Sequence, residues 1–416
     1  MFRPLRISII AALWLTYNCA QAQPHIIELR NKIDDVKTID LCPSTSSVLS
    51  FHILTDKTLI FHPQTGAEIS TKIKFFNTTS NNSSYAISFR PRYSFIKRAF
   101  QPILSVSTNR IYTSVGREFM DYNNKNAVSF WPNTTSALLA HRNHKSLYDR
   151  RFAYFDIFYD INDIDFQLSL EYYEARPLKQ VSDFSILYPK RNYKLIAPDC
   201  ARYIPTDSTR SYRNQANVQF EVNKYGLFDK SIYAGLRINQ GLGITKQSGV
   251  FTQLTAEVSQ TIGGYDGDNA LVELLFGPSD LFMWTCRLGY MKSRSEKVKF
   301  ADWMHQESAN RLCGISDENG FQGFLTYSPY EMSTDKWFAS CDVRLRRSLL
   351  LTQMELMQLL GYTEELYLRH ACIEGHDNYS EIGYALVSRS IIRYGVFIAL
   401  RDFDYRGVYF RLGVDL

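Results

Sequence analysis

Apolar and polar residues take turns along much of the chain. Ile164, Phe166, Leu168, Leu170 and Tyr172 are interleaved with Asp165, Gln167, Ser169, Glu171 and Tyr173. A strand sends successive side chains to opposite faces, so this order makes one face apolar and leaves the other fit to line water. The pattern returns at Val218, Phe220 and Val222, at Ile232, Ala234, Leu236 and Ile238, and at Leu254, Ala256 and Val258. It returns again at Phe282, Trp284, Cys286, Leu288 and Tyr290, and at Trp337, Ala339, Cys341, Val343 and Leu345. Turn-forming clusters separate the runs, among them Gly263-Gly264 with residues 266–269, Gly277-Pro278-Ser279-Asp280 and Gly375-His376-Asp377-Asn378.

Further strands are expected at 85–93, 152–159 and 164–173, and about a dozen from Asn217 onward. The fold class this predicts is all-β: a closed antiparallel transmembrane β-barrel of about 14 to 18 strands with several long loops. The run 349–360 is rich in Leu and Met and is read as one more strand. Residues 23–84 form a β-rich N-terminal segment, either early barrel strands or a small periplasmic module, and 85–416 form the barrel. Three long polar stretches, 120–150, 190–216 and 292–320, are expected to be extracellular loops, with a short helix at 301–312. Counting hairpins back from the C-terminus places 292–320 outside but puts 190–216 on the periplasmic side, a conflict within the strand list.

The first residues read as an export signal. Arg3 and Arg6 precede the apolar run 7–16, and Ala20-Gln21-Ala22 gives the small-x-small pattern for cleavage after Ala22. No later stretch holds the roughly 20 apolar residues that a spanning helix needs. The chain has 27 Tyr and 27 Phe yet a mean hydropathy of -0.24, the mixture expected where lipid-facing and water-facing residues alternate between aromatic girdles. Loss of Arg3 and Arg6 lowers the net charge from +5 to +3, a balance that argues against nucleic-acid binding. Six cysteines remain after the leader. Cys42, Cys200 and Cys313 lie in polar surroundings and are the better disulfide candidates, while Cys286, Cys341 and Cys372 sit in strand runs as small apolar residues. No CxxC pair or other metal-ligand spacing is present, so neither metal nor cofactor is expected.

The C-terminal strand carries the most specific signal. Phe410, Leu412, Val414 and Leu416 alternate with Tyr409, Arg411, Gly413 and Asp415, and Gly407 stands three residues before Phe410. This resembles the last strand of bacterial outer-membrane β-barrels of porin-like architecture, except that Leu416 stands where a terminal Phe or Trp is usual. The resemblance covers 85–416. It implies a barrel delivered by the barrel-insertion machinery through Gly407, Phe410, Leu412, Val414 and Leu416, with outer-membrane lipids as its surroundings.

Charged residues on the polar faces suggest how such a barrel would sort solutes. Asp342, Arg344, Arg346, Arg287, Glu273 and Arg237 are the candidates for a charged constriction, with Arg344 and Arg346 foremost. The competing reading is a ladder of cross-strand ion pairs that stiffens the interior, involving also Glu221, Glu257, Arg393 and Arg411. The function expected is a porin-like channel for small solutes or a surface-structural protein. Alternatives are a barrel-borne hydrolase, a receptor using long loops, or a soluble secreted β protein. Ser388-Arg389-Ser390 only faintly matches a barrel phospholipase motif, and His370 and His376 lie near a predicted rim without an assignable acid-base partner. Four Asn-x-Ser/Thr sequons, at Asn77, Asn82, Asn133 and Asn378, are read as part of Asn- and Ser-rich loops.

Overall fold

The computed structural model describes residues 47–415 apart from 53–58, 79–83, 126–129, 179–181, 188–192, 194–212, 228–231, 264–280, 296–297, 299, 309–312, 317–320, 322, 329, 349–361 and 389–391. The leader expected at 1–22, Cys42, Cys200, Asn82, Glu273, the run 349–360, Arg389, Ser390 and Leu416 therefore lie outside the described residues.

One antiparallel meander dominates. Its first hairpin is interrupted: β1 (Ser47–His52) and β2 (Leu59–His62) run along β4 (Lys72–Thr78) and β3 (Gly66–Ser70) respectively. Both β3 and β4 pair with β5 (Ser84–Ser94). Next come β6 (Ala99–Thr108), β7 (Ile111–Asp121), β8 (Leu147–Ile161), β9 (Ile164–Pro177), β10 (Arg213–Tyr225), β11 (Ile232–Leu242), β12 (Phe251–Gly263) and β13 (Leu281–Ser293). The wall resumes with β17 (Trp337–Ser348), β18 (Tyr362–Ile373), β19 (Tyr379–Ser388), β20 (Ile392–Arg401) and β21 (Asp404–Asp415). Each pairs antiparallel with the next, and β13 pairs directly with β17. The short elements β14 (Met304–His305), β15 (Cys313–Ser316) and β16 (Ser333–Thr334) lie in the connection between β13 and β17. Two hairpins turn on residues with positive φ, Asn162-Asp163 and Asp402-Phe403, the conformation that matches a two-residue turn to the right-handed strand twist.

The described sheet has nineteen strands and is not closed. The closed barrel expected from sequence is corrected here: no pairing joins β1 or β2 to β21 among the described residues. β21 and β2 have other contacts. On β21, residues Leu412–Asp415 take β15 as a parallel neighbour. On β2, the Thr134 hydroxyl of helix α1 (Phe130–Ala140) accepts from the Phe61 amide at 3.0 Å and donates to the Phe61 carbonyl at 3.1 Å. These contacts engage Phe61 of β2 and the last four described residues of β21.

The loop conflict also resolves. β12 and β13 pair with each other from end to end, so four strands, β10 to β13, separate 178–212 from 294–336, and two, β8 and β9, separate 122–146 from 178–212. These even numbers of crossings place the connections 122–146, 178–212 and 294–336 at one end of the sheet. β17 and β18 likewise pair directly, and the strand expected at 349–360 lies outside the described residues. The helix expected at 301–312 is replaced by a single 3-10 turn (Phe300–Asp302) and β14. Pairing of Met304 with Thr334 and His305 with Ser333 outcompetes local helix formation there. In the opposite sense α1 was missed, because Pro132 and its Asn and Thr neighbours read as a loop; Pro is tolerated in a first helical turn, where its amide would lack a partner anyway.

The two faces of the sheet differ sharply. Leu104, Val115, Leu170, Leu254, Leu288, Leu368, Ile382, Val408 and Phe410 are exposed on one face, Phe410 at 67 %. Phe166 and Trp284 on that face are half-buried rather than sunk in a core. The opposite face buries Arg369, Arg393, Glu365 and Glu381 completely. The sheet curls so that this charged face surrounds part of the 294–336 connection, which touches β7, β8, β12 and β17 to β21 in turn.

Candidate functional site

The inward segment is held in place by the wall. Its apolar side chains Phe300, Met304, Phe321, Phe324, Leu325, Tyr327, Tyr330 and Met332 are all buried. Glycines on the wall make room for the aromatic rings that seat them. Phe338 lies across its register partner Gly289, where an added Cβ would come within 2.1 Å of the ring, and Phe397 lies across Gly383, where the approach would be 2.2 Å. Phe338 then packs with Met304, Phe324 and Tyr327, and Phe397 with Phe321 and Leu325.

Polar contacts fix the register of the segment. The Arg344 and Arg369 guanidinium groups both donate to the Phe321 carbonyl, at 2.9 and 2.5 Å. Arg411 donates to the Leu325 carbonyl at 2.9 and 2.6 Å, while the amides of Leu325 and Thr326 donate to Glu381 Oε2 at 2.8 Å each. The clamp is electrically compensated: Arg369 also reaches Glu381 Oε1 at 2.8 Å and Asp342 at 2.9 Å. Glu365 joins Arg346 at 2.7 Å and Arg393 at 3.2 Å and accepts from the Tyr367 hydroxyl. A buried ion that is paired and hydrogen-bonded avoids the desolvation cost of an isolated one. The far side of the segment is tied down by Tyr330, whose hydroxyl donates to Asp121 and accepts the Ser146 amide at 2.6 Å. Tyr327 donates to the carbonyls of Ser380 and Leu400, and burial with Glu381 nearby pushes its phenol up to about 12. His305 shares a 2.7 Å hydrogen bond with Ser333, and burial pushes its imidazole down to about 3.

The segment fills the side of the interior lined by β17 to β21 and leaves space along β8 to β13. Two adjoining cavities of about 180 and 190 Å³ lie there, sharing Gln219, Asn239, Gln253 and Trp303 in their walls. Tyr154 and Arg150 face the first, and Tyr233, Arg237, Arg287 and His305 face the second. The bases are all paired and the acids outnumber them: Arg150 pairs with Glu118 and Glu171, Arg237 with Glu221 at 2.7 Å, and Arg287 with Glu257 at 2.7 Å and Glu307 at 3.8 Å. Asn239 Oδ1 is buried at this space with no protein partner among the described residues.

The sequence candidates thus fall into two places. Asp342, Arg344 and Arg346 lie under or beside the inward segment, and Arg237 and Arg287 line the open side. The residues that complete the clamp, Arg369, Glu365, Glu381 and Arg411, follow from the same alternation, but what they grip could not be read without the path of 294–336. On the outer face His370 and Ser380 share a hydrogen bond of 2.8 Å, with Cys372 3.2 Å from the other imidazole nitrogen. Among the described residues no cluster of His, Cys, Asp and Glu is arranged to hold a metal ion. Likewise no helix there is long and apolar enough to cross a membrane, which says nothing of strands.

The solved structures similar to this chain include BamA, CdiB and a porin. BamA from Haemophilus ducreyi lacking POTRA domains 1-3 is 12 % identical, with 90 % of this chain and 73 % of that one covered and a TM-score of 0.46. CdiB from Acinetobacter baumannii is 8 % identical, covering 88 % and 59 %, at 0.37. A mutant of Rh. blastica porin is 11 % identical, covering 83 % and 89 %, at 0.32. No curated protein matches the chain. Residues 42–386 match the model for the C-terminal domain of a family of unknown function, DUF5686, and the chain belongs to that family.

Proposed function

We propose that the chain is an exported bacterial outer-membrane β-barrel whose interior is stoppered by its own 300–332 segment, leaving a narrow polar path for small solutes. One observation carries this reading: strand after strand exposes Leu, Ile, Val and aromatic side chains on one face while burying Arg and Glu on the other. In water that distribution is upside down; in a bilayer it is what a barrel wall needs. Residues 1–22 are the cleaved signal, 23–84 contribute early strands, and 85–416 are the remainder of the barrel. The last strand, through Gly407, Phe410, Leu412, Val414 and Leu416, is what the insertion machinery engages. With C-terminus and short turns periplasmic, the three long connections lie outside.

The stopper favours a restricted channel over an open porin. Arg344, Arg346 and Asp342 act mainly by holding the segment, whereas Arg237 and Arg287 face the path, where Glu221, Glu257 and Glu307 outnumber them and give it a formal negative sign. Small neutral or cationic solutes fit such a lining of carboxylate, amide, phenol and indole groups. Planar-bilayer conductance tests the reading. The native protein is expected to be nearly silent, and Arg344→Ala with Arg346→Ala to raise the frequency of openings. Large, steady, ion-selective conductance in the native protein would refute the stopper. A surface role for the long loops is the second reading, favoured by their clustering at one end.

A further inference from the structure

The wall contains one place where two consecutive strands are joined by its longest connection, and two cysteines face each other there. β13 and β17 pair directly although 294–336 separates them. Cys286 and Cys341 are register partners, with Sγ atoms 3.0 Å apart and 55 positions apart in sequence. Both are half-buried free thiols on the outer face, between Trp284 and Leu288 on one strand and Ala339 and Val343 on the other. Directly opposed residues of an antiparallel pair have Cα atoms roughly 4.5–5.5 Å apart, inside the roughly 4.4–6.8 Å that a disulfide accepts. A small side-chain rotation and about 1 Å of approach bring the sulfurs to the covalent length of about 2.05 Å.

We infer that Cys286 and Cys341 are joined as a disulfide in the exported protein, stapling β13 to β17 across the base of the stopper segment. The inference rests on the export reading above. In the bond-forming step each thiol loses one proton and one electron as Sγ–Sγ forms. The two electrons and two protons pass to a protein disulfide of the oxidising compartment, whose own S–S bond breaks to a dithiol. Position is what makes the bond useful. The entropy lost on closing a loop grows with its length, so β13–β17 is the costliest pairing of neighbours in the meander. A cross-link closing a loop of this size shifts the folded-to-unfolded ratio by about a thousandfold. The residues assigned by sequence to a small apolar role are thereby placed in a covalent one. Once the wall is inserted the sulfurs face hydrocarbon, beyond the reach of aqueous reductants.

The full chain with its leader, expressed in an exporting host, provides the test. Membranes are alkylated with N-ethylmaleimide, the protein is digested without reduction, and thiol peptides are mapped by mass spectrometry. The expected result is a cross-linked peptide pair carrying Cys286 and Cys341, resistant to a water-soluble phosphine in the membrane and reduced by it after unfolding in urea. Cys286→Ser is expected to abolish the faster non-reducing gel migration, and Cys372→Ser to leave it unchanged. Membrane-inserted protein with both thiols alkylated, or with Cys286 bonded elsewhere, overturns the bond alone. Protein retained in the cytosol overturns export, and the bond with it.

Discussion

Arg369→Ala probes the clamp at its centre. Arg369 is fully buried and is the one side chain that joins Asp342, Glu381 and the Phe321 carbonyl of the stopper. Removing it leaves the Glu381 charge buried beside the Leu325 and Thr326 amides without its cation, and leaves the Phe321 carbonyl to Arg344 alone. Breaking a buried pair from one side costs about 3–5 kcal/mol. Most of that cost falls on the seated state, because withdrawal of the segment admits water to Glu381. At about 1.4 kcal/mol per factor of ten, the ratio of withdrawn to seated segment rises by about two to three orders of magnitude. Glu381→Gln is a milder companion: it keeps an oxygen for the two amides but loses the charge, a difference of about 1–2 kcal/mol. The assay is limited proteolysis of the 300–332 segment in detergent, read with single-channel openings in planar bilayers. Heat-modifiable gel migration is the control for an intact sheet. An Arg369→Ala protein with an intact sheet and unchanged protection and conductance would refute the clamp.

The stopper should also respond to acid. Burial lowers the His305 imidazole from 6.5 to about 3, so between these values the released segment binds the proton more readily than the seated one. Seating is therefore fully stable above about pH 6.5 and weakens as pH falls toward 3, by up to about 1.4 kcal/mol per unit. Hydrogen exchange of 300–306 between pH 7 and 4.5 is expected to show this slope, and His305→Gln to flatten it; an equal slope in the variant would exclude His305 as its source. On the outer face, Leu368→Arg places a charge on an exposed apolar position of β18 and is expected to cost about 2–4 kcal/mol if that position lies at the bilayer midplane. Membrane-fraction yield would fall several-fold, and an unchanged yield would argue that Leu368 faces water.

Much of the wall was legible because alternation is enforced residue by residue: the run from Ile164 to Tyr173 falls on the faces its period dictates, and the partners Cys286 and Cys341 lie in runs read as strands. The candidate site was legible only in part. Asp342, Arg344 and Arg346 announce a charged interior face, but ion pairing and segment clamping look alike in sequence, since both put Arg on the polar side of a strand. The inward path of 294–336 was hidden because its buried residues, such as Phe300, Met304 and Phe321, follow no strand or helix period; they fit the rings of Phe338 and Phe397 instead. The open edge was hidden for a related reason. Whether β21 meets β2 or β15 depends on which partner satisfies its edge amides, and no local pattern encodes that choice.

Single-tryptophan variants in liposomes of brominated phospholipid test the membrane wall most directly. One variant retains Trp284, on the outer face of β13, and the other Trp303, at the interior cavities. Acyl-chain bromine is expected to quench Trp284 strongly and Trp303 hardly at all. Equal quenching of both, or none of either with the protein left in the aqueous fraction, would contradict an apolar face turned to lipid around a stoppered interior.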